Sequence, residues 1–290
     1  MMSTMPAFRK TFISALGRYA ILYALLFGLG FAFLLPFLYL LSSSFQDIRG
    51  IFAVPFRWIP DPARWQNYLE AVTVLPFHRF LLNTCVITVS NIIGVLLSSS
   101  LVAYGFARLK FKGRDTLFLV CISTMMLPGQ VTMIPLYVLF SNLGWVDTFL
   151  PLIVPSFFGS PFFIFLLRQF FLTIPYELDE AALLDGASRF RIFWNVILPL
   201  SRPALATVVI FTFIGSWNDF MGPLIYLNSP ENATLTLGLS LLKNRLAYSG
   251  VMQWNLLMAA SVLMLIPNMI IFFLAQKQFI RGIMLTGMKG

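Results

Sequence analysis

Between Arg168 and Arg202 the chain gathers Glu177, Asp179, Glu180 and Asp185 with Arg189 and Arg191 around Gly186, in a protein whose residues are only 11% charged. The question is what such groups could do. Acid–base catalysis needs carboxylates that converge with a histidine, a nucleophile or a metal, and His78 is the single histidine, far away in sequence. Cys85 and Cys121 stand in apolar runs, where a small packing residue is the plain reading and no ligand pattern supports a metal or a disulfide. No catalytic residue and no metal ligand is therefore expected. Recognition is the remaining chemistry: acids in the first turn of a helix sit where the helix dipole favours negative charge and can face a basic partner.

The local sequence provides the element that would hold them. Thr173, Ile174 and Pro175 mark a helix start, because proline at the first helical position forfeits no hydrogen bond. Gly186 suits the left-handed position that ends a helix, Ser188 can cap the next one, and Pro199 is expected to stop it before a new helix begins at Pro203. Two short helices joined by a tight turn result. Ala181, Ala182, Leu183, Leu184, Ala187, Phe190, Ile192, Phe193 and Trp194 make their faces too apolar for an isolated loop in water, so something must cover them. A hairpin lying on a bilayer and a DNA-reading helix-turn-helix are the rival readings.

Around this hairpin the composition is that of a chain in lipid: 59% hydrophobic, 31 phenylalanines and a mean hydropathy of +0.84. Uncharged runs extend over 19–46, 80–107, 116–146, 148–167, 203–218 with an apolar continuation, and 246–276. Each is near or above the roughly 20 residues that cross a bilayer as a helix, the element that satisfies its own backbone there. The expected fold is an all-α integral membrane protein of six transmembrane helices. The first run is longer than the apolar core of a removable signal peptide, so it is expected to remain as an anchor. Lysine and arginine set orientation. With the N-terminus inside, 14 of the 20 basic residues fall on the cytoplasmic side, and Arg49, Arg57, Arg64, Arg79, Lys243 and Arg245 fall outside. Both termini and the hairpin are then cytoplasmic. The net charge of +9 is accounted for by this asymmetry and by anionic membrane lipid, without nucleic acid.

Residues that could line a path lie within the runs. Asp219 is a candidate because charge at such depth is costly, unless the helix ends near Gly222-Pro223. Asn83, Asn91, Gln130 and Asn218 could hydrogen-bond hydroxyl groups, or could join helices to one another. Leu127-Pro128-Gly129-Gln130 should break or kink the third run, as a hinge or path element or as a tolerated kink. Ser90, Gly94 and Ser98, four residues apart, offer a face for close helix packing. The segment 43–79, with four prolines and the interfacial Trp58 and Trp65, is expected to form a partly ordered outer cap. A secondary transporter would show repeats in corresponding halves, and a self-powered pump would need a nucleotide loop that Gly282 to Lys289 only mimics by chance.

Glu180-Ala181-Ala182, then Asp185-Gly186-Ala187, then Ile197-Leu198-Pro199, resembles the EAA signature of permease subunits in binding-protein-dependent ABC importers, with the isoleucine one position closer to the leucine than in the usual pattern. Leu166 to Phe171, Ile214 to Phe220, Ala103 to Arg108 and Gln278 to Gly282 look like the carbohydrate-uptake branch related to the second permease of the maltose system, a branch that also includes glycerol-phosphate importers. The resemblance implies a type I ABC importer transmembrane domain in the bacterial cytoplasmic (inner) membrane. Its cytoplasmic coupling loop would dock on an ATP-binding cassette ATPase dimer through Glu180, Ala181, Ala182, Asp185, Gly186, Ala187, Leu198 and Pro199. It further implies a second, homologous permease, an extracytoplasmic solute-binding protein, and ATP and Mg held by the ATPase, with no cofactor in this chain. The boundaries would be 1–79 for the first helix and outer loop, 80–277 for a five-helix core with the loop at 173–202, and 278–290 for a cytoplasmic tail. In the maltose-type arrangement the sugar is held mainly by the other permease.

Overall fold

The computed structural model describes residues 5–74, 76–248 and 253–287; Lys289, and residues 249–252 of the last apolar run, lie outside them. The described residues are helical, in chain order α1 (Met5–Ser44), α2 (Ile48–Ile51), α3 (Gln66–Thr73), α4 (Phe77–Arg108), α5 (Arg114–Ser123), α6 (Gly129–Asn142), α7 (Leu150–Ile153), α8 (Pro161–Thr173), α9 (Glu177–Leu184), α10 (Arg189–Ile192), α11 (Leu198–Leu200), α12 (Arg202–Trp217), α13 (Met221–Tyr226), α14 (Leu235–Tyr248) and α15 (Trp254–Gly287). Among the described residues, four helices are long and apolar enough to cross a membrane: Tyr19–Ser44, Phe77–Arg108, Leu150–Thr173 and Trp254–Gln276. Two bent pairs, Arg114–Met126 with Gly129–Asn142 and Arg189–Leu200 with Arg202–Trp217, bring the number to six if each is one span.

The chain divides into two compact units, Met1–Ala71 with Ser249–Leu263, and Val72–Tyr248 with Met264–Gly290. In the first unit, α1 exposes apolar side chains all round from Tyr19 to Leu41, as expected of a helix whose solvent is lipid. Its end is tied down by polar groups. Ser42 Oγ donates to Trp58 O at 2.7 Å, and the buried Asn67 donates to Ser44 O and Gln46 O at 2.9 and 2.8 Å while accepting from Asn255 Nδ2 at 2.9 Å. The segment expected to be partly ordered is thus packed around α1's last turn by hydrogen bonds that a proline-broken backbone cannot make with itself.

In the second unit α4 is the central helix, packed along α8 and α12 and crossed by α14. The small-residue face of α4 works by close approach. A Cβ built on Gly94 would lie 2.8 Å from Phe157 Cδ2 and closer still to Ser156 Oγ, and Ser98 Oγ donates to Ser156 O at 3.0 Å. The third apolar run breaks at Leu127-Pro128 with a 96° bend between its two helices, because the residue before a proline is driven out of the helical region.

Candidate functional site

The acidic stretch folds as the hairpin its sequence calls for. Ile174 is extended before Pro175, and Glu177, Asp179 and Glu180 occupy the first turn of α9. At the other end of α9, Gly186 has φ +78°, its N–H donates to Leu183 O at 3.0 Å, and Ala187 N donates to Ala182 O at 2.9 Å. This pair of bonds is the Schellman turn, which satisfies carbonyls the helix end would otherwise leave bare. Ser188 Oγ then accepts from Arg191 N at 3.3 Å and starts α10. The stop expected at Pro199 comes one residue later, at Leu200, before α12 begins at Arg202. Phe193–Ile197 is a π-helical turn in which Leu198 N reaches back to Phe193 O, and the helix runs on through Pro199 to Leu200. The slipped register accommodates a residue that has no N–H, and the bend of 79° comes at Ser201 instead.

The hairpin has a buried back and a bare front. Ile192, Phe193 and Ile197 are buried with Leu167 and Phe171 of α8 and with Ala103, Tyr104 and Ala107 of α4, and Ala182, Ala187 and Leu198 pack against that cluster. Glu180, Ala181, Asp185, Gly186 and Pro199 are exposed. So are the large side chains Leu184, at 90% of its accessible surface, Phe190 at 61% and Trp194 at 44%. Water is a poor solvent for these three together, whereas the first-turn acids beside them are suited to a basic surface.

What holds the hairpin to the spans is a group of buried polar side chains. Arg108, the last residue of α4 and only 4% exposed, donates through Nη2 to Phe171 O and Ile174 O, both at 2.7 Å. A cation on the closing carbonyls of α8 is favoured by charge-assisted hydrogen bonding and by the helix dipole. Its Nε lies 3.9 Å from Oδ2 of Asp179, a fully buried carboxylate in the first turn of α9 with no hydrogen-bond donor on either oxygen. Burial pushes the Asp179 carboxyl above its ordinary value, against the opposing pull of Arg108 and then Arg189. Tyr104 donates its hydroxyl to Arg189 O at 3.0 Å, and its ring meets Phe193 at 5.2 Å. Nothing local distinguishes Asp179 from Glu177 and Glu180 as the acid that turns inward. The available signal is helical spacing, which puts Asp179 on the face with Ala182.

Several of the polar residues expected along a path are engaged in hydrogen bonds within the chain. Asn83 donates to Glu231 O and Ala233 O, both at 2.9 Å, and Asn91 to Ser216 Oγ at 3.0 Å. Asn218 and Asn268 exchange amide hydrogen bonds of 3.2 and 3.1 Å between α12 and α15. Gln130 is exposed in the first turn of α6. For Asp219 the helix-end alternative is the one realised: α12 closes at Trp217, and Asp219 Oδ1 accepts from Gly222 N at 3.1 Å. Asp147, in a turn with no sequence mark beyond its brevity, organises the segment after α13. It accepts from Asn228 N at 3.0 Å, Ser229 N at 2.8 Å, the Ser229 hydroxyl and Asn232 Nδ2. The Ser229 hydroxyl first, then its N–H, with Asn232 and Asn228, hold the Asp147 carboxyl at about 2.

Residues 90–284 match the family of binding-protein-dependent transport system inner membrane components. The chain belongs to that family. Among similar proteins, this permease is 34% identical over 249 residues to the sn-glycerol-3-phosphate transport system permease protein UgpE of Yersinia pestis, covering 83% of this chain and 87% of the relative. It is 33% identical over 260 residues to the diacetylchitobiose uptake system permease protein NgcG of Streptomyces coelicolor, covering 89% and 85%. A crystal structure of a bacterial ABC transporter involved in the import of the acidic polysaccharide alginate contains a chain that superposes with a TM-score of 0.81 at 24% identity, over 96% of this permease and 99% of that chain. The fold is therefore that of an ABC transporter permease.

Proposed function

We propose that this permease forms, with a second homologous permease, the transmembrane pathway for ATP-driven uptake of a carbohydrate delivered by an extracytoplasmic binding protein. On this reading the chain crosses the membrane six times with both termini and the hairpin in the cytoplasm of a bacterium, residues 80–277 being the core, 1–79 an added helix and outer segment, and 278–290 a cytoplasmic tail. ATP and Mg belong to a separate ATPase dimer, and this chain moves without hydrolysing. The observation that carries the reading is the two-sided hairpin: a back face sunk into the cluster of α4 and α8, and a bare front of Glu180, Leu184 and Phe190 around a rigid glycine turn. A small interlocked helix can follow a moving partner without losing its contact, which a flat patch cannot do. Glu180, Ala181, Ala182, Asp185, Gly186, Ala187, Leu198 and Pro199 form the docking element, of which Ala182, Ala187 and Leu198 serve from behind. Among the polar candidates for the path, Gln130 and Asn218 are exposed enough to meet hydroxyl groups. A glycerol-phosphate-type solute is the second reading, favoured by the similarity to UgpE.

The experiment is reconstitution of the permease in proteoliposomes with its partner permease, ATPase and binding protein, followed by a screen of sugars, oligosaccharides and glycerol phosphates. Uptake that needs both ATP and the binding protein is expected for a carbohydrate. Movement of solute by this polypeptide alone would overturn the proposal, and uptake confined to glycerol phosphates would select the second reading.

A further inference from the structure

The docking front explains how a partner could hold the hairpin, but not how the hairpin holds the spans. Its back face is mostly apolar, and apolar packing supplies shape but no directional bond. Beside the Tyr104 hydroxyl on Arg189 O, one polar group reaches across that interface in three directions. Arg108 ends α4, grips the last carbonyls of α8 through Phe171 O and Ile174 O at 2.7 Å, and faces the Asp179 carboxylate of α9 at 3.9 Å. The two sides differ in kind. Toward α8 the bonds are short and saturated, whereas toward α9 the gap is about 1 Å longer than a charge-assisted hydrogen bond. Asp179 Oδ1, Asp179 Oδ2 and Arg108 Nε are all buried without a hydrogen-bond partner. For a buried carboxylate in that condition the Arg108 guanidinium is the stronger of the two compensating charges, ahead of Arg189, so its position is biased toward the guanidinium.

Resting on the coupling role of the hairpin, we propose that Arg108 and Asp179 are positioning residues that convert a shift of the hairpin into movement of α4 and α8. The open gap is the travel of the device. When the ATPase draws the hairpin, Asp179 closes on Nε or pulls the guanidinium with it, and the rigid bonds to Phe171 O and Ile174 O oblige α4 and α8 to move together. A neutral side chain of the same size fills the same space and can still accept a hydrogen bond, but it lacks the attraction of a full negative charge, so charge rather than volume is the property that matters.

The test uses the complete importer in nanodiscs and proteoliposomes, with Asp179→Asn, Asp179→Glu and Arg108→Lys. Retention of the ATPase subunit, ATP hydrolysis and solute moved per ATP are measured for each. For Asp179→Asn, the expected result is retained ATPase subunit, hydrolysis lowered by less than about three-fold and transport per ATP lowered by about ten-fold or more, the scale of a lost coupling between sites. Asp179→Glu, which keeps the charge, should recover most of that loss, and Arg108→Lys, whose compact ammonium lacks the planar fork that spreads from the two carbonyls to the carboxylate, should not. Unchanged transport per ATP in Asp179→Asn, or equal defects in the Asn and Glu variants, overturns the proposal. So does loss of transport only in proportion to lost ATPase subunit, in either Asp179→Asn or Arg108→Lys. If the parent importer shows no binding-protein-dependent hydrolysis, the coupling role itself fails, which is a different result.

Discussion

Gly186 allows the turn of the acidic hairpin to be tested apart from the contact proposed for it. Its φ of +78° is in the left-handed region, which costs an L-residue about 1–2 kcal/mol. A Cβ built there meets nothing within 4 Å, so within this chain the penalty is backbone strain alone. Gly186→Ala should therefore weaken the turn by about 1–2 kcal/mol, a factor of roughly 5–30 in its opening equilibrium. Gly186→Asn should stay near the parent, because asparagine visits this conformation more readily. Hydrogen exchange reads the effect directly: the amides of residues 186 and 187 donate to Leu183 O and Ala182 O, and both should exchange faster in the alanine variant by that factor. Transport then separates strain from docking. A Cβ here opens on free space, so a loss in Gly186→Trp beyond that in Gly186→Ala, with equal exchange of the two amides in both variants, is assigned to the partner surface. Equal exchange in the glycine and alanine proteins, or an asparagine variant as loose as alanine, would refute the turn argument; tryptophan no worse than alanine would remove residue 186 from the docking front.

Three further outcomes are expected. Glu180→Arg should abolish uptake while leaving the permease inserted in the membrane, since it reverses the charge of an exposed first-turn acid without touching the core; uptake at the parent rate, measured in cells, would contradict this. Gly94→Ala should destabilise the unit around α4 by about 1–3 kcal/mol through overpacking against Phe157 and Ser156, seen as a lower melting temperature of the detergent-solubilised permease. Asp147 has a folded pKa of about 2, below its unfolded value, so its contribution to stability is present above about pH 4 and lost as pH falls toward 2. The melting difference between the parent and Asp147→Ala should accordingly be large at pH 6 and shrink at pH 3.

Several features of the hairpin could be read from neighbouring residues because their causes are local. Proline before α9, a left-handed glycine after it and a serine capping α10 each act through one or two dihedral angles or a bond spanning three residues. The same locality made the bend at Leu127-Pro128 legible. Pro199 shows its limit: a proline normally ends a helix at the residue before it, but a π turn just ahead, supported by burial of Phe193 and Ile197 against α4 and α8, carries the helix through Pro199 to Leu200. Local rules do not include that burial.

The chain's order of residues alone determined that this is a protein of long apolar helices with one charged hairpin among them, since length, hydropathy and turn chemistry are properties of contiguous sequence. Only the tertiary structure decided which acid turns inward and which faces out, that Arg108 is a buried clamp rather than one more basic residue at a helix end, and that Asp147 gathers a segment more than 80 residues away. Those outcomes depend on which donors and acceptors are left unpaired once the helices have packed. Residues 63 or 66 positions apart, like Arg108 and its carbonyl partners, have no common signature until α4 and α8 lie side by side.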